Sequence, residues 1–179
     1  MSHDGRGVAR IEEKTVFIDG ALPDEEVTFL YKKRTRNFDE GVLHEVITAS
    51  PDRVEPRCAD YGICGGCSLQ HLAPADQILM KQQVLLDNFK HLGKVEPDEV
   101  LEPLTGPHWG YRRKARLGVK WVAKKEKVLV GFREKRSPYV AQLSRCEVLH
   151  PSVGERLTEL AGLIAGMEAY NRIAQIEGA

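Results

Sequence analysis

The stretch CADYGICGGCSLQHL, residues 58–72, carries three of the four cysteines of this 179-residue chain. Five residues separate Cys58 from Cys64, two separate Cys64 from Cys67, and Cys146 follows after a further 78 residues. Clustered cysteines in a protein that is not secreted are more often metal ligands than disulfide partners, because a reducing compartment keeps thiols free. The spacing therefore predicts one site with three local ligands and one remote ligand.

Three occupants of this site are compatible with the sequence. Four thiolates, three local and one remote, commonly hold a cubane iron–sulfur cluster. Gly65 and Gly66 fit such a cluster, because glycine allows positive φ and close backbone approach, so that amide N–H groups can point at sulfur. A structural zinc ion also takes four cysteines, although zinc ribbons usually bring two short pairs and Cys146 has no such partner. Cysteines without a ligand, or joined in a disulfide, are the third alternative.

Composition gives the chain no net charge, but the charge is unevenly distributed. Residues 111–145 contain twelve Lys or Arg and only two Asp or Glu, and a polyanion binds through such a local field. The chain has no apolar run near the ~20 residues of a membrane span. The N-terminal MSHDGRGVAR lacks the apolar segment of a secretory signal. We expect a cytoplasmic monomer with no membrane partner.

The fold class predicted is α+β, with a domain boundary between residues 52 and 53. The first domain reads as a small all-β barrel of the OB type, because short β-rich runs alternate with turn residues. Its strand candidates are residues 7–12, 15–19, 25–35 and 40–49. Residues 53–179 read as an α/β central domain with antiparallel strands and the cysteine loop.

In the central domain, Pro74 marks the start of a helix and Gly93 its stop. Its apolar stripe reads as buried core or as a docking face. Residues 111–122 alternate as a strand, and the predicted partner strands are 128–132 and 139–143. A helix over residues 153–165, ending at Gly166, and the start of a last strand within 171–179 complete the expected elements.

The predicted strand over residues 111–122 carries a cationic row. Arg112, Lys114, Arg116 and Lys120 share one face, with successive side chains about 6.5–7 Å apart, close to the phosphate repeat of a single strand. Tyr111 and Trp121 flank the row and could stack on bases. A solvated outer face is the plain alternative, but the local charge favours RNA or DNA. The candidate contacts are Arg112, Arg113, Lys114, Arg116, Lys120 and Arg133, with Lys32, Lys33 and Arg34 in the first domain.

Three groups of residues resemble a known family. GRGVARIEEKTVFIDGALPDEEV (5–27) resembles a TRAM domain, a small β-barrel of RNA-modifying enzymes. The cysteine stretch resembles the cluster loop of bacterial 23S ribosomal RNA uridine C5-methyltransferases of the RlmD (RumA) type. YRRKARLGV (111–119), VGFREKRS (130–137) and SRCEVLHP (144–151) follow in that family's order.

The resemblance implies a [4Fe–4S] cluster on Cys58, Cys64, Cys67 and Cys146, and 23S ribosomal RNA as the partner. In that family a cysteine thiolate adds to C6 of uracil, and S-adenosylmethionine then methylates C5. Those groups belong to a C-terminal domain that the sequence does not show, so no catalytic residue is assigned here. We expect the chain alone to be inactive, with S-adenosylmethionine bound only by the full-length enzyme.

Two other functions remain open at this point. A ferredoxin-like electron-transfer protein would use the cluster as a redox group and would need no basic face. A zinc- or cluster-stabilised RNA-binding module would need no catalytic partner domain.

Overall fold

The computed structural model describes all residues from Met1 to Ala179 and falls into two compact units. The first unit contains Met1–Glu55 and Ser68–Thr105, and the second contains Pro56–Cys67 and Gly106–Ala179. Both units are therefore discontinuous in sequence. The predicted boundary at residue 52 lies close to the first change of unit, but residues 68–105 join the first unit instead of the second. The mixed α+β class is confirmed.

The first unit is built on a four-stranded sheet with the strand order β1-β2-β4-β3. Strands β2 and β4 pair in parallel, and the other two pairs are antiparallel. This mixed sheet is compatible with the predicted OB-like barrel. Its strands confirm the four predicted ones and are β1 (Gly7–Ile11), β2 (Lys14–Asp19), β3 (Glu26–Arg34) and β4 (Phe38–Thr48).

The core of the first unit follows from strand alternation. Val16 and Ile18 lie two residues apart on β2, so both point to the same face, and both are buried with Ala21. Phe29 packs against this cluster from β3. A Cβ on Gly41 would lie 2.5 Å from the Phe29 ring, so the β4 backbone can approach this ring only because residue 41 is glycine.

A buried ion pair attaches the segment after β4 to the β2–β3 connection. The Glu25 side chain is completely buried and accepts hydrogen bonds from the Arg53 guanidinium, including one of 2.8 Å, and from the Leu22 amide at 2.8 Å. Burial alone would raise the pKa of Glu25. The hydrogen bonds from Arg53 and from the Leu22 and Ser50 amides outweigh burial, so this pKa lies below its ordinary value.

The second part of the first unit contains the predicted helix. Helix α1 (Pro74–Asn88) begins with proline in its first turn and continues into a π-helical turn, Phe89–Gly93, which ends at a left-handed Lys94. None of the α1 residues is buried, and Leu79 and Leu85 are exposed. The apolar stripe of α1 is therefore not core within this chain, and its use as a docking face remains a prediction.

The second unit has a three-stranded antiparallel sheet with β5 (Ala115–Val122) in the centre. β6 (Lys127–Gly131) and β7 (Gln175–Gly178) flank it. Helix α2 (Pro151–Gly154) is one turn long, and α3 (Leu157–Ala165) buries Leu157 and Ile164 against the sheet. Gly166 ends α3 as predicted. No helix of the structure has the length and apolar character that crossing a membrane requires.

The prediction of a strand over residues 139–143 is wrong. Val140 forms only an isolated bridge with Arg133, and β7 occupies the free edge of β5 instead. Pro138 has no N–H to donate to a ladder, which disfavours strand pairing at the start of this segment. Ala141 and Leu143 are nevertheless buried, so the segment serves the core as irregular backbone.

We expect Glu25→Ala to lower the free energy of unfolding by about 3 kcal/mol at neutral pH, because it leaves a largely buried Arg53 without its carboxylate. The carboxylate stabilises the fold fully above the ordinary carboxyl pKa of 4.5 and loses this effect as the pH falls through its lower folded-state pKa. The difference between wild type and variant should therefore shrink in acid. Urea unfolding followed by circular dichroism at several pH values measures it.

The matched control is Glu26→Ala, which removes an exposed carboxylate that only approaches the Thr48 hydroxyl at 3.4 Å. Its effect should stay below about 0.5 kcal/mol. Equal effects of the two substitutions would show that the buried ion pair does not stabilise the first unit.

Candidate metal centre

All four cysteines lie in the second unit, and none forms a disulfide. Cys64 is buried within the core cluster of this unit, and Cys146 packs against the same cluster. Burial raises the pKa of the Cys64 thiol, and the Cys67, Cys146 and Cys58 thiols raise it further as like charges. The fold therefore brings the remote cysteine within electrostatic reach of the three local ones.

The Cys58 thiol is part of the same electrostatic group. Burial is the main cause that raises its pKa, and the charges of Asp60, Cys146 and Cys67 act in the same direction. A hydrogen bond from the Asp60 amide acts in the opposite direction. No group of three or more His, Cys, Asp or Glu side chains in the structure has the arrangement required for a single metal ion.

Backbone hydrogen bonds fix the later part of the cysteine loop, residues 63–65. The Gly65 amide donates to the Arg133 carbonyl at 2.8 Å, and the Lys135 amide donates to the Ile63 carbonyl at 2.8 Å. These two bonds flank Cys64, so the position of its sulfur is set by the segment that follows β6. The sulfur in turn accepts a hydrogen bond from the Gly66 amide at 3.4 Å.

The glycine pair is required for close approach and not for positive φ. A Cβ on Gly65 would lie 2.9 Å from the Arg133 carbonyl oxygen, and one on Gly66 would lie 2.9 Å from the Phe132 ring. Neither residue has positive φ, whereas Gly62 does, at 89°. The prediction that an amide points at sulfur is thus confirmed at Gly66, and the expectation of positive φ at this pair is wrong.

The segment around Cys146 is fixed by a different part of the chain. The Cys146 amide donates to the Gly154 carbonyl at 2.8 Å, and the Arg112 amide donates to the Val148 carbonyl at 2.8 Å. A Cβ on Gly154 would lie 2.4 Å from the Cys146 carbonyl oxygen, so only glycine fits there. The remote cysteine therefore depends on the turn at α2 and on the residues before β5.

The predicted row of cations on one strand is wrong in part. Residues 111–114 precede β5, because the Arg112 backbone pairs with residues 148–150 and not with β6 or β7. Arg116 and Lys120 do share the exposed face of β5, but Arg116 forms an ion pair with Glu177 on β7. Arg113 and Lys114 are exposed in irregular backbone.

The other predicted RNA contacts in the second unit have partners within the chain or are partly exposed. The Arg112 guanidinium lies 5.4 Å from the centre of the Phe132 ring, and the Arg133 guanidinium donates to the Pro138 carbonyl. Tyr111 is half exposed. Trp121 forms a T-shaped pair with Tyr170, with 4.9 Å between the ring centres, and is partly buried against the core, and its stacking on bases stays a prediction.

In the first unit, β3 presents an exposed cationic and aromatic edge. Lys32, Lys33 and Arg34 are all exposed at the end of this edge strand. The Arg34 guanidinium lies 4.1 Å from the centre of the Tyr31 ring, and Phe29 supports Tyr31 edge-on at 4.9 Å. A ring held in this way offers an ordered surface for a stacked base.

The chain is similar in sequence to proteins of one name, the RlmD methyltransferases. The chain is 55% identical over 177 residues to the 23S rRNA (uracil(1939)-C(5))-methyltransferase RlmD of Alkalilimnicola ehrlichii. It is 57% identical over 178 residues to the protein of the same name from Nitrosococcus oceani. Both alignments cover 99% of the chain. The chain is therefore similar to RlmD methyltransferases over almost its whole length. No protein-family model matches it.

The chain spans about 40% of the length of these RlmD relatives. Among solved structures, it resembles the Pyrococcus abyssi tRNA (uracil-54, C5)-methyltransferase in complex with S-adenosyl-L-homocysteine, with a TM-score of 0.59 and 21% identity. This likeness covers 92% of the chain and 35% of the Pyrococcus protein. At this identity it supports the fold alone.

Sequence reasoning missed three residues beside the cysteines of this RlmD-like chain. Arg57 forms a 2.9 Å ion pair with Glu147, whose side chain is 8% exposed, and lies over the Trp109 ring at 5.2 Å. The available signal was that Arg57 precedes Cys58 and Glu147 follows Cys146, with opposite charges.

We expect Gly66→Ala to destabilise the second unit by about 1–3 kcal/mol, because the added methyl group would press on the Phe132 ring. Gly162→Ala is the control within the same unit, since a Cβ there meets nothing within 4 Å and alanine favours the α3 helix. Thermal unfolding of both variants makes the comparison. A Gly66→Ala protein as stable as Gly162→Ala would refute the close packing of the loop on Phe132.

Proposed function

We propose that this chain is the RNA-recognising and cluster-carrying portion of an S-adenosylmethionine-dependent 23S ribosomal RNA uracil-C5 methyltransferase. The observation that carries the proposal is the 55–57% identity to RlmD relatives over nearly the whole chain. The relatives' names give uracil 1939 as the base they modify, and we propose the same base here. Because ribosomal RNA is a cytoplasmic substrate, the proposal places the protein in the cytoplasm.

The cysteine set fits an iron–sulfur cluster chemically. Thiolates are the soft ligands that such clusters take, and the chain supplies four in one unit. The Gly66 amide already donates to the Cys64 sulfur, and hydrogen bonds of this kind stabilise an anionic cluster. Cys58, Cys64, Cys67 and Cys146 would hold the [4Fe–4S] cluster, which would supply structural support or a redox centre.

Two exposed surfaces support RNA recognition. In the first unit, proposed as a TRAM-like barrel, Tyr31 and Arg34 combine a base-stacking ring with a cation. In the second unit, Arg113, Lys114 and Lys120 are exposed within the segment of high positive charge. S-adenosylmethionine and the reacting groups would belong to the part of the relatives that the chain does not span.

Anaerobically purified chain should contain about four iron and four sulfide per molecule. Cys64→Ser should lose most of both and unfold at lower temperature, because metal binding is coupled to folding. Iron, zinc and acid-labile sulfide assays measure the content. One zinc per chain without sulfide would instead support a zinc-stabilised RNA-binding module.

The triple substitution Arg113→Ala, Lys114→Ala, Lys120→Ala should weaken binding to a 23S ribosomal RNA fragment containing uracil 1939 by at least about ten-fold. It should also flatten the salt dependence of binding, because each lost phosphate contact lowers that slope by about one. Filter binding at several salt concentrations measures both.

Arg116→Ala serves as the control, because Arg116 already forms an ion pair with Glu177 and should contribute little to RNA affinity. Unchanged affinity and salt slope in the triple variant would exclude this segment as the RNA contact.

A further inference from the structure

Two different parts of the second unit hold the proposed cysteine ligands. The later part of the loop, with Cys64, is bonded through its backbone to residues 133 and 135. Cys146 lies in a segment bonded to Gly154 and to residues 110–112. If these cysteines share one site, a further contact must hold Cys58, at the start of the loop, beside the segment that contains Cys146.

Arg57 makes a contact of this kind. Its Nε lies 2.9 Å from Oε2 of Glu147, and this ion pair joins the residue before Cys58 to the residue after Cys146. The Arg57 guanidinium also lies over the Trp109 ring at 5.2 Å, and Trp109 precedes Gly110, whose amide donates to the Glu147 carbonyl. The two ends of the site are thus connected by side chains that are not themselves ligands.

Glu147 is well placed to receive this contact. Its side chain is 8% exposed, and its backbone carbonyl accepts a hydrogen bond from the Gly110 amide at 2.9 Å. Its carboxylate also pairs with Arg145 at 2.6 Å. The Arg145–Glu147 pair joins two residues of the same segment. The Arg57–Glu147 pair instead joins that segment to the start of the cysteine loop.

We propose that the Arg57–Glu147 ion pair is a positioning clamp that sets Cys58 beside Cys146 before the metal centre binds. The inference rests on the proposed cluster and adds how the site is assembled. Arg57 and Glu147 act through the cysteines next to them and do not touch the cluster. Preorganised ligands hold a metal centre more tightly, because binding does not have to order them.

The test compares Arg57→Gln with Arg145→Gln in the chain of residues 1–179, reconstituted anaerobically with ferrous iron and sulfide. Each substitution removes one guanidinium from the same carboxylate, but only Arg57→Gln removes the link between the two segments. With an excess of iron chelator, Arg57→Gln should release its cluster about five-fold faster than wild type, the effect of a partly exposed ion pair. Arg145→Gln should release it at nearly the wild-type rate.

Visible absorption of the cluster follows the release, and unfolding of the metal-free chain is measured in parallel. Arg57→Lys keeps a cation beside Glu147 and should restore slow release. Equal stability of the metal-free wild-type and Arg57→Gln chains would assign the faster release to positioning of Cys58 and not to a general loss of stability. Equal release rates for wild type and Arg57→Gln, or no rescue by Arg57→Lys, would overturn the clamp. A wild-type chain that binds no iron and sulfide would overturn the proposed function itself and the clamp with it.

Discussion

The organisation of the second unit depends on one long-range constraint, which brings Cys146 to the cysteine loop although 78 residues separate it from Cys67. The structure meets this constraint with three separate sets of contacts. Backbone hydrogen bonds hold the loop on residues 133–135, the turn at Gly154 holds Cys146, and the Arg57–Glu147 ion pair joins the two. Close glycine packing at residues 65, 66 and 154 lets these backbones approach.

Local sequence signals predicted most of the secondary structure. The four strands of the first unit were predicted from alternating apolar and polar residues and from the turn residues between them. The start of α1 was predicted from Pro74. The prediction of a strand over residues 139–143 was wrong because strand pairing depends on which segment occupies a free edge, and residues 175–178 occupy the free edge of β5. The sequence pattern of one segment does not contain that information.

In the candidate site, too, residue types could be predicted from the sequence, whereas contacts between distant residues could not. Cysteine type and spacing predict the four candidate ligands, because thiolate chemistry follows from residue identity, and their binding of a cluster stays a prediction. The cation row was overestimated, because the alternating pattern of residues 111–122 does not reveal that Arg112 pairs with residues 148–150 or that Arg116 meets Glu177. Arg57 and Glu147 were missed for a related reason, as their partnership exists only after the chain has folded.

We propose that four thiolates of the second unit share one inorganic centre, in a chain whose exposed cations recognise ribosomal RNA. A crystal structure of anaerobically purified chain, with anomalous diffraction data collected at the iron absorption edge, tests this most directly. We expect one compact iron peak whose density contacts the sulfurs of Cys58, Cys64, Cys67 and Cys146. Iron density that excludes Cys146, or a site with no iron signal, would contradict it.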